Sequence, residues 1–241
     1  MGIIDRQAIE GIASGFQSKR LFYPCAGEDI VEPIMTFLPY IDEFWFVDLN
    51  EFDVEELLAN HEITFLQREY RTIAGHCLRN KNRPFLLTNH CFVCEHIPTE
   101  SEFKINYCNG RDAGYHAFRA VVKDPGKKLS VFYYRGDSPG GGGSDFRWLE
   151  KKMLRYVLAE IEPGGLLVTD GSNALPQLAT FCSKSKYNDL PLAYENGEDA
   201  ATRSEPFGYR AWNLTCVGYA GDRYGPTLAW RVERTDRDQG Q

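Results

Sequence analysis

The chain has 241 residues, of which 43% are apolar and 25% charged, with a formal net charge of −7. Those proportions fit a globular protein with room for a substantial core. The acidic balance, with a pI near 5.3, leaves no general basic surface for nucleic acid, so nucleic acid is disfavoured as a partner.

No stretch approaches the roughly 18 consecutive apolar residues of a spanning helix, so no membrane association is expected. The opening "MGIIDRQAIEGIASGF" spaces Ile4, Ile9, Ile12 and Phe16 as a helix would and lacks the pattern of a secretory leader. Arg6 stands where a myristoylation signal wants Ser or Thr. Seven scattered cysteines read as reduced thiols. Together these features predict a soluble cytoplasmic protein.

Strand-like and helix-like stretches then alternate. "RLFYPC" reads as a short buried strand, followed by Gly27 and a helical stretch through "EDIVEPIMTFLPY" in which Pro33 falls within the first turns. "EFWFVDLN" is a strand ending on Asp48, "DVEELLAN" a helix, and "HEITFLQREYRTI" begins as a strand. Residues 84–123 are rich in β-formers with turn signals at Asn109-Gly110, and are read as β-hairpin material inserted into the alternating pattern. "KLSVFYY" is a strand, and Phe146, Leu149, Met153, Val157 and Ile161 make one apolar stripe of a helix. "GGLLVTD" supplies another strand and "ALPQLATF" a helix, and "YRAWNLTCVGYAGDRYGPTLAWRVER" closes as two strands around a turn. The polar tail 234–241 reads as frayed. The expectation is a single α/β domain over 1–241: a mostly parallel Rossmann-like sheet with helices on both faces, an antiparallel C-terminal edge hairpin and a β-rich insertion.

Four stretches, in this order, carry a resemblance to the class I methyltransferase fold, which binds S-adenosylmethionine. "LFYPCAGED" stands where that family has its first strand and glycine loop, and "FWFVDLN" where its second strand ends on an acid. "IEPGGLLVTDGSN" is similar to the stretch through its fifth strand, and "NLTCVG…TLAWRVER" to its last two strands. The first motif departs from the family: only Gly27 is present, after Pro24, Cys25 and Ala26, which limits how closely the backbone can meet a cofactor.

The resemblance implies a methyltransferase-like protein that uses S-adenosylmethionine on a small-molecule or protein acceptor. Asp48 would accept hydrogen bonds from ribose hydroxyls; Tyr23, Gly27, Glu28 and Asp29 would form the first loop, with Glu28 or Asp29 near the cofactor ammonium or ribose. Asp48, Glu28 and Asp29 are equally placed to cap helices or favour their positive ends.

The run from Tyr133 to Lys152 places Arg135, Asp137 and Ser138 before four consecutive glycines, Gly140 to Gly143. Such a loop beyond a strand end presents bare N–H groups and lets a ligand approach closely. Under the resemblance it lies at the end of the fourth strand, with Asp137 and Ser138 as catalytic candidates and Arg135, Gly140 and Gly141 near the acceptor. Asp170 and Asn173, after the next strand, would join that rim. "GDSPG" also spells a hydrolase elbow, but four glycines separate Ser138 from the helix that an elbow enters directly. The alternative to a methyltransferase is an α/β protein that binds an anionic metabolite or a protein partner through this loop.

His76, Cys77, His90, Cys91, Cys94, His96, Cys108 and His116 form a last group. Cys91-x-x-Cys94 has zinc spacing, but only one such pair exists. On an extended strand His90, Cys94 and His96 share a face and Cys91 points away. Buried free thiols are the simpler reading, and no metal is assigned.

Overall fold

The computed structural model describes residues 6–76, 84–110, 113–123, 127–135, 148–149, 151–170, 207–209, 211–222 and 225–235. The chain is mixed α/β and divides into two compact units. The first comprises the described residues of Lys19–Lys127; the second, those of Met1–Ser18 and those from Lys128 on.

The first unit is built on β1 (Arg20–Pro24), β2 (Glu43–Asp48), β3 (Ile63–His76), β4 (Pro84–His96) and β5 (Ser101–Asn109), in the order β3-β4-β5-β2-β1. β1 pairs with β2, and β2 with β5, in parallel; β4 and β3 continue antiparallel. All five residues of β1 are buried, as a parallel strand covered on both faces requires. Helix α2 (Val31–Phe37) carries Pro33 in its first turn, where a missing N–H costs little. Helix α3 (Val54–Leu58) is capped by Asp53, whose carboxylate accepts from the N–H groups of Glu55 and Glu56 at 3.0 and 3.2 Å.

Residues 84–123 do not stay extended throughout: Ala113–Val122 is helix α4. Gly114, Ala117, Phe118 and Val121 are its buried positions, an i, i+3, i+4, i+7 stripe that overrides the weak helix propensity of its aromatic and β-branched residues. Phe118 meets Phe22 of β1 edge-on at 5.3 Å, which fixes the face that α4 covers.

The second unit contains α1 (Arg6–Ala13), β6 (Leu129–Tyr134), α5 (Lys151–Glu160), β7 (Ile161–Asp170), β8 (Phe207–Tyr209), β9 (Trp212–Asp222) and β10 (Gly225–Arg234). Its strands run β6-β7-β10-β9-β8, with β6 and β7 parallel and the rest antiparallel. Ile161, expected to close the helical stripe, opens β7 instead. The next residue explains why: the Glu162 carboxylate, on a residue only 6% exposed, accepts from Ser130 Oγ at 2.6 Å and from the N–H groups of Gln17 and Ser18 at 3.1 and 3.0 Å. Lys128 N–H donates to Ser18 Oγ at 3.2 Å, so the chain segments on either side of the first unit are tied together. The tail expected to fray from 234 does so neither at Arg234, which ends β10, nor at Thr235, whose N–H donates to the Ala211 carbonyl at 2.7 Å; residues 236–241 and the expected helix at "ALPQLATF" lie outside the described residues.

Counting only parallel strands in chain order, the first unit reads third-second-first (β5-β2-β1) and the second has the fourth and fifth side by side (β6-β7). Taken separately, these are the strand orders of the two halves of a doubly wound sheet.

Candidate functional site

In an open α/β sheet ligands gather beyond the carboxyl ends of the parallel strands. In the first unit that rim is set by register. Tyr23, Phe46, Tyr107, His90 and Tyr70 pair in turn across β1, β2, β5, β4 and β3. Paired residues share a face, so an aromatic row crosses the unit. Two positions further along the parallel strands, Asp48, Asn109, Thr88 and Thr72 pair in the same way and form a polar row above it. The aromatic row is buried at Tyr23, Phe46 and Tyr107 and exposed at Tyr70.

Asp48 sits where this rim meets the loop after β1. Its Oδ2 accepts the Gly27 N–H and its Oδ1 the Asn50 N–H, both at 3.0 Å. Each oxygen keeps a lone pair for a further donor. Gly27 is held from both sides, because its carbonyl accepts from Tyr107 Oη at 3.1 Å. Its φ of +54° explains why glycine stands there: a Cβ would meet only Asp48 Oδ2, at 4.0 Å, so the constraint is the backbone and not space. Cys25 takes a φ of +60° in the same loop, a strained backbone for a residue with a side chain. Tyr23 Oη donates to Asp29 Oδ2 at 3.0 Å. Tyr23, Gly27, Asp29 and Asp48, expected at a cofactor, are thus brought into one loop-and-rim arrangement.

Tyr107 was not foreseen. Burial first, then the carboxylates of Asp48 and Glu28, push its phenol well above the ordinary range, so it remains a hydrogen-bond donor to Gly27 at any physiological pH. Only the β2–β5 register, which pairs Phe46 with Tyr107, identifies it. His90 and Asn109 are also new at the rim. His90 Nε2 lies 3.4 Å from Glu51 Oε1, and Asn109 Oδ1 is buried with no hydrogen-bond partner among the described residues.

Four of the loop's donors are already committed. The N–H groups of Ala26, Gly27, Asp29 and Ile30 bond to Val47 O, Asp48 Oδ2, Ala26 O and Glu28 O. Glu28, Asp29 and Glu32 gather at the start of α2, and Pro33 contributes no N–H. A phosphate cradle needs free donors and positive potential; this loop offers carboxylates, which suit a neutral or cationic group.

In the second unit Tyr134 pairs with Thr169, so Arg135 and Asp170 stand at neighbouring carboxyl ends of β6 and β7. Arg135 is buried at 6% exposure. Asp137, Ser138, Gly140, Gly141 and Asn173 lie outside the described residues.

The His/Cys group separates as strand parity requires. His90 pairs with Tyr107 and Cys94 with Phe103 on one face, and Cys91 with Asn106 on the other. Cys108 Sγ reaches Asn89 Oδ1 at 3.4 Å, and Asn89 Nδ2 donates to Asn106 Oδ1 at 3.2 Å. Burial raises the Cys94 and Cys108 thiols to about 12. Among the described residues no three His, Cys, Asp or Glu side chains converge as a metal-binding set, and no helix is long and apolar enough to cross a membrane.

No protein-family model matches the chain, and no curated protein matches it. Among solved structures it is similar to a ribosomal protein L11 methylase from Lactobacillus delbrueckii subsp. bulgaricus, with 9% identity and a TM-score of 0.36 over 95% of this chain and 76% of that one. So loose a likeness carries no part of the assignment, which rests on strand order and the Asp48 rim.

Proposed function

We propose that the first unit binds the adenosyl cofactor S-adenosylmethionine at the Asp48 rim, and that the protein transfers its methyl group to a small-molecule or protein acceptor. The observation that carries this reading is the Asp48 carboxylate at the carboxyl end of β2, each oxygen anchored by one backbone N–H and open to one more donor. Paired ribose hydroxyls match that acceptor pattern. The carboxylates of the first loop favour a cofactor with a sulfonium and an ammonium over a dinucleotide, whose pyrophosphate they would repel. Asp29, oriented by Tyr23, is the candidate partner of the ammonium.

When bound, the cofactor would supply the methyl group; the chain supplies alignment. On this reading the parallel strands carry helices on both faces. Arg135, Gly140, Gly141, Asp170 and Asn173 are the candidate acceptor-binding residues, and Asp137 and Ser138 the catalytic candidates.

Calorimetric titration with S-adenosylmethionine, S-adenosylhomocysteine, NAD and ATP tests the proposal. Micromolar binding of the adenosyl ligands alone is expected, weakened at least about tenfold by Asp48→Ala, the scale of a hydrogen bond to a charged group. Unchanged affinity in Asp48→Ala, or NAD binding as tightly, removes the reading.

A further inference from the structure

Strand β3 is 14 residues long, more than twice the usual length of a strand. Among the described residues it pairs only with β4. Its other side is an edge, which offers a row of backbone donors and acceptors to any strand that can lie alongside.

Natural edges discourage such pairing with very short strands, prolines, bulges or charged side chains. β3 is long and has no proline. Leu66 and Tyr70 are exposed at 49% and 68%, and the bulge at Leu66 leaves Gln67–Thr72 in regular register. The charges there are of opposite sign and two residues apart: Arg71 bonds Glu69 on its own strand, with both side chains in water.

That spacing is self-complementary. In an antiparallel pair centred on Tyr70, residues equidistant from the centre stand opposite each other. Glu69 of each copy then faces Arg71 of the other, twice, on one face, and the two Tyr70 rings meet on the opposite face. Both contacts are of the kinds that stabilise cross-strand pairs, and the arrangement closes as a two-fold dimer with no free edge at its centre. We propose that β3 is a homodimerisation edge, pairing antiparallel with β3 of a second copy of this chain about Tyr70. Nothing in this depends on the identity of the cofactor.

Light scattering on the eluting protein of 241 residues, together with two charge variants and one cysteine variant, decides the matter. At micromolar concentration the expected mass is twice the 27.5 kDa of the chain. Arg71→Glu places Glu69 opposite a second carboxylate and should give a folded monomer whose melting temperature, unlike that of the wild type, does not depend on protein concentration. The Glu69→Arg/Arg71→Glu double variant restores complementarity and should restore the dimer. Tyr70→Cys should cross-link on mild oxidation where the wild type does not. A wild-type monomer, a dimer indifferent to Arg71→Glu, or a double variant that stays monomeric would overturn the proposal. A charge-sensitive dimer in which Tyr70→Cys fails to cross-link would overturn the Tyr70-centred register.

Discussion

Tyr107 Oη donates to the carbonyl of Gly27 across 80 residues of sequence, and the same glycine donates its N–H to Asp48. One residue thus ties together all three parallel strands of the first unit. The loop conformation, and with it the position of Asp48, depends on a phenol that burial keeps protonated.

Tyr107→Phe removes this bond while keeping the ring against Phe52, which it meets edge-on at 6.3 Å. The expected loss is about 1 kcal/mol of stability, read by chemical denaturation. Adenosyl-ligand affinity should fall with it, because Gly27 is freed on one side. Full affinity in a destabilised Tyr107→Phe protein would separate the loop's structural role from binding.

In the second unit the corresponding anchor is Glu162. Glu162→Ala leaves Ser130 Oγ and the Gln17 and Ser18 N–H groups without their acceptor, and should cost roughly 3 kcal/mol, the range for breaking a buried charged network. Glu162→Gln keeps one acceptor oxygen and should cost less. Denaturation midpoints of the two variants would rank them, and equal midpoints would contradict the network.

Two glycines make opposite predictions. A Cβ at Gly165 would lie 2.7 Å from Ile161 Cγ2 and 2.8 Å from the Ser130 carbonyl, so Gly165→Ala should destabilise by about 1–3 kcal/mol. Gly11, exposed in α1, has nothing within 4 Å of that position, and Gly11→Ala should stabilise by about 0.5–1 kcal/mol. Melting temperatures moving in opposite directions would bear this out.

Cys94 and Cys108 carry thiols raised from 9.0 to about 12 by burial. The unfolded chain loses these protons first, so their contribution to stability is complete below 9.0 and is lost as pH climbs toward about 12. Denaturation at neutral pH and within that alkaline window should show the decline, which Cys94→Ala and Cys108→Ala would each reduce. Both thiols should also resist alkylation at neutral pH.

How far the sequence revealed the site depends on what each signal measures. β1 and β2 were legible because parallel strands buried on both faces read as continuous apolar runs, and Asp48 breaks the second run. Gly27 was legible as the lone glycine after β1, whereas its positive φ emerged only with the structure. Tyr107 was not, because its place beside Gly27 comes from the pairing of Phe46 with Tyr107, a long-range register that no local pattern encodes. Helix α4 was misread for a related reason: Tyr115, Phe118, Val121 and Val122 favour strands locally, and the helix arises from its buried stripe. The buried pair Asn89 and Asn106 likewise came from cross-strand neighbours and not from spacing.

The bond between Lys128 and Ser18 closes only after every residue of the first unit has been made. Chains leave the ribosome amino end first, and compact units fold as their residues emerge. Residues 19–127 are therefore complete while β6, β7 and the Glu162 carboxylate do not yet exist. Helix α1, which packs on β7 and β9, is made before the first unit and must wait for both strands before it is seated.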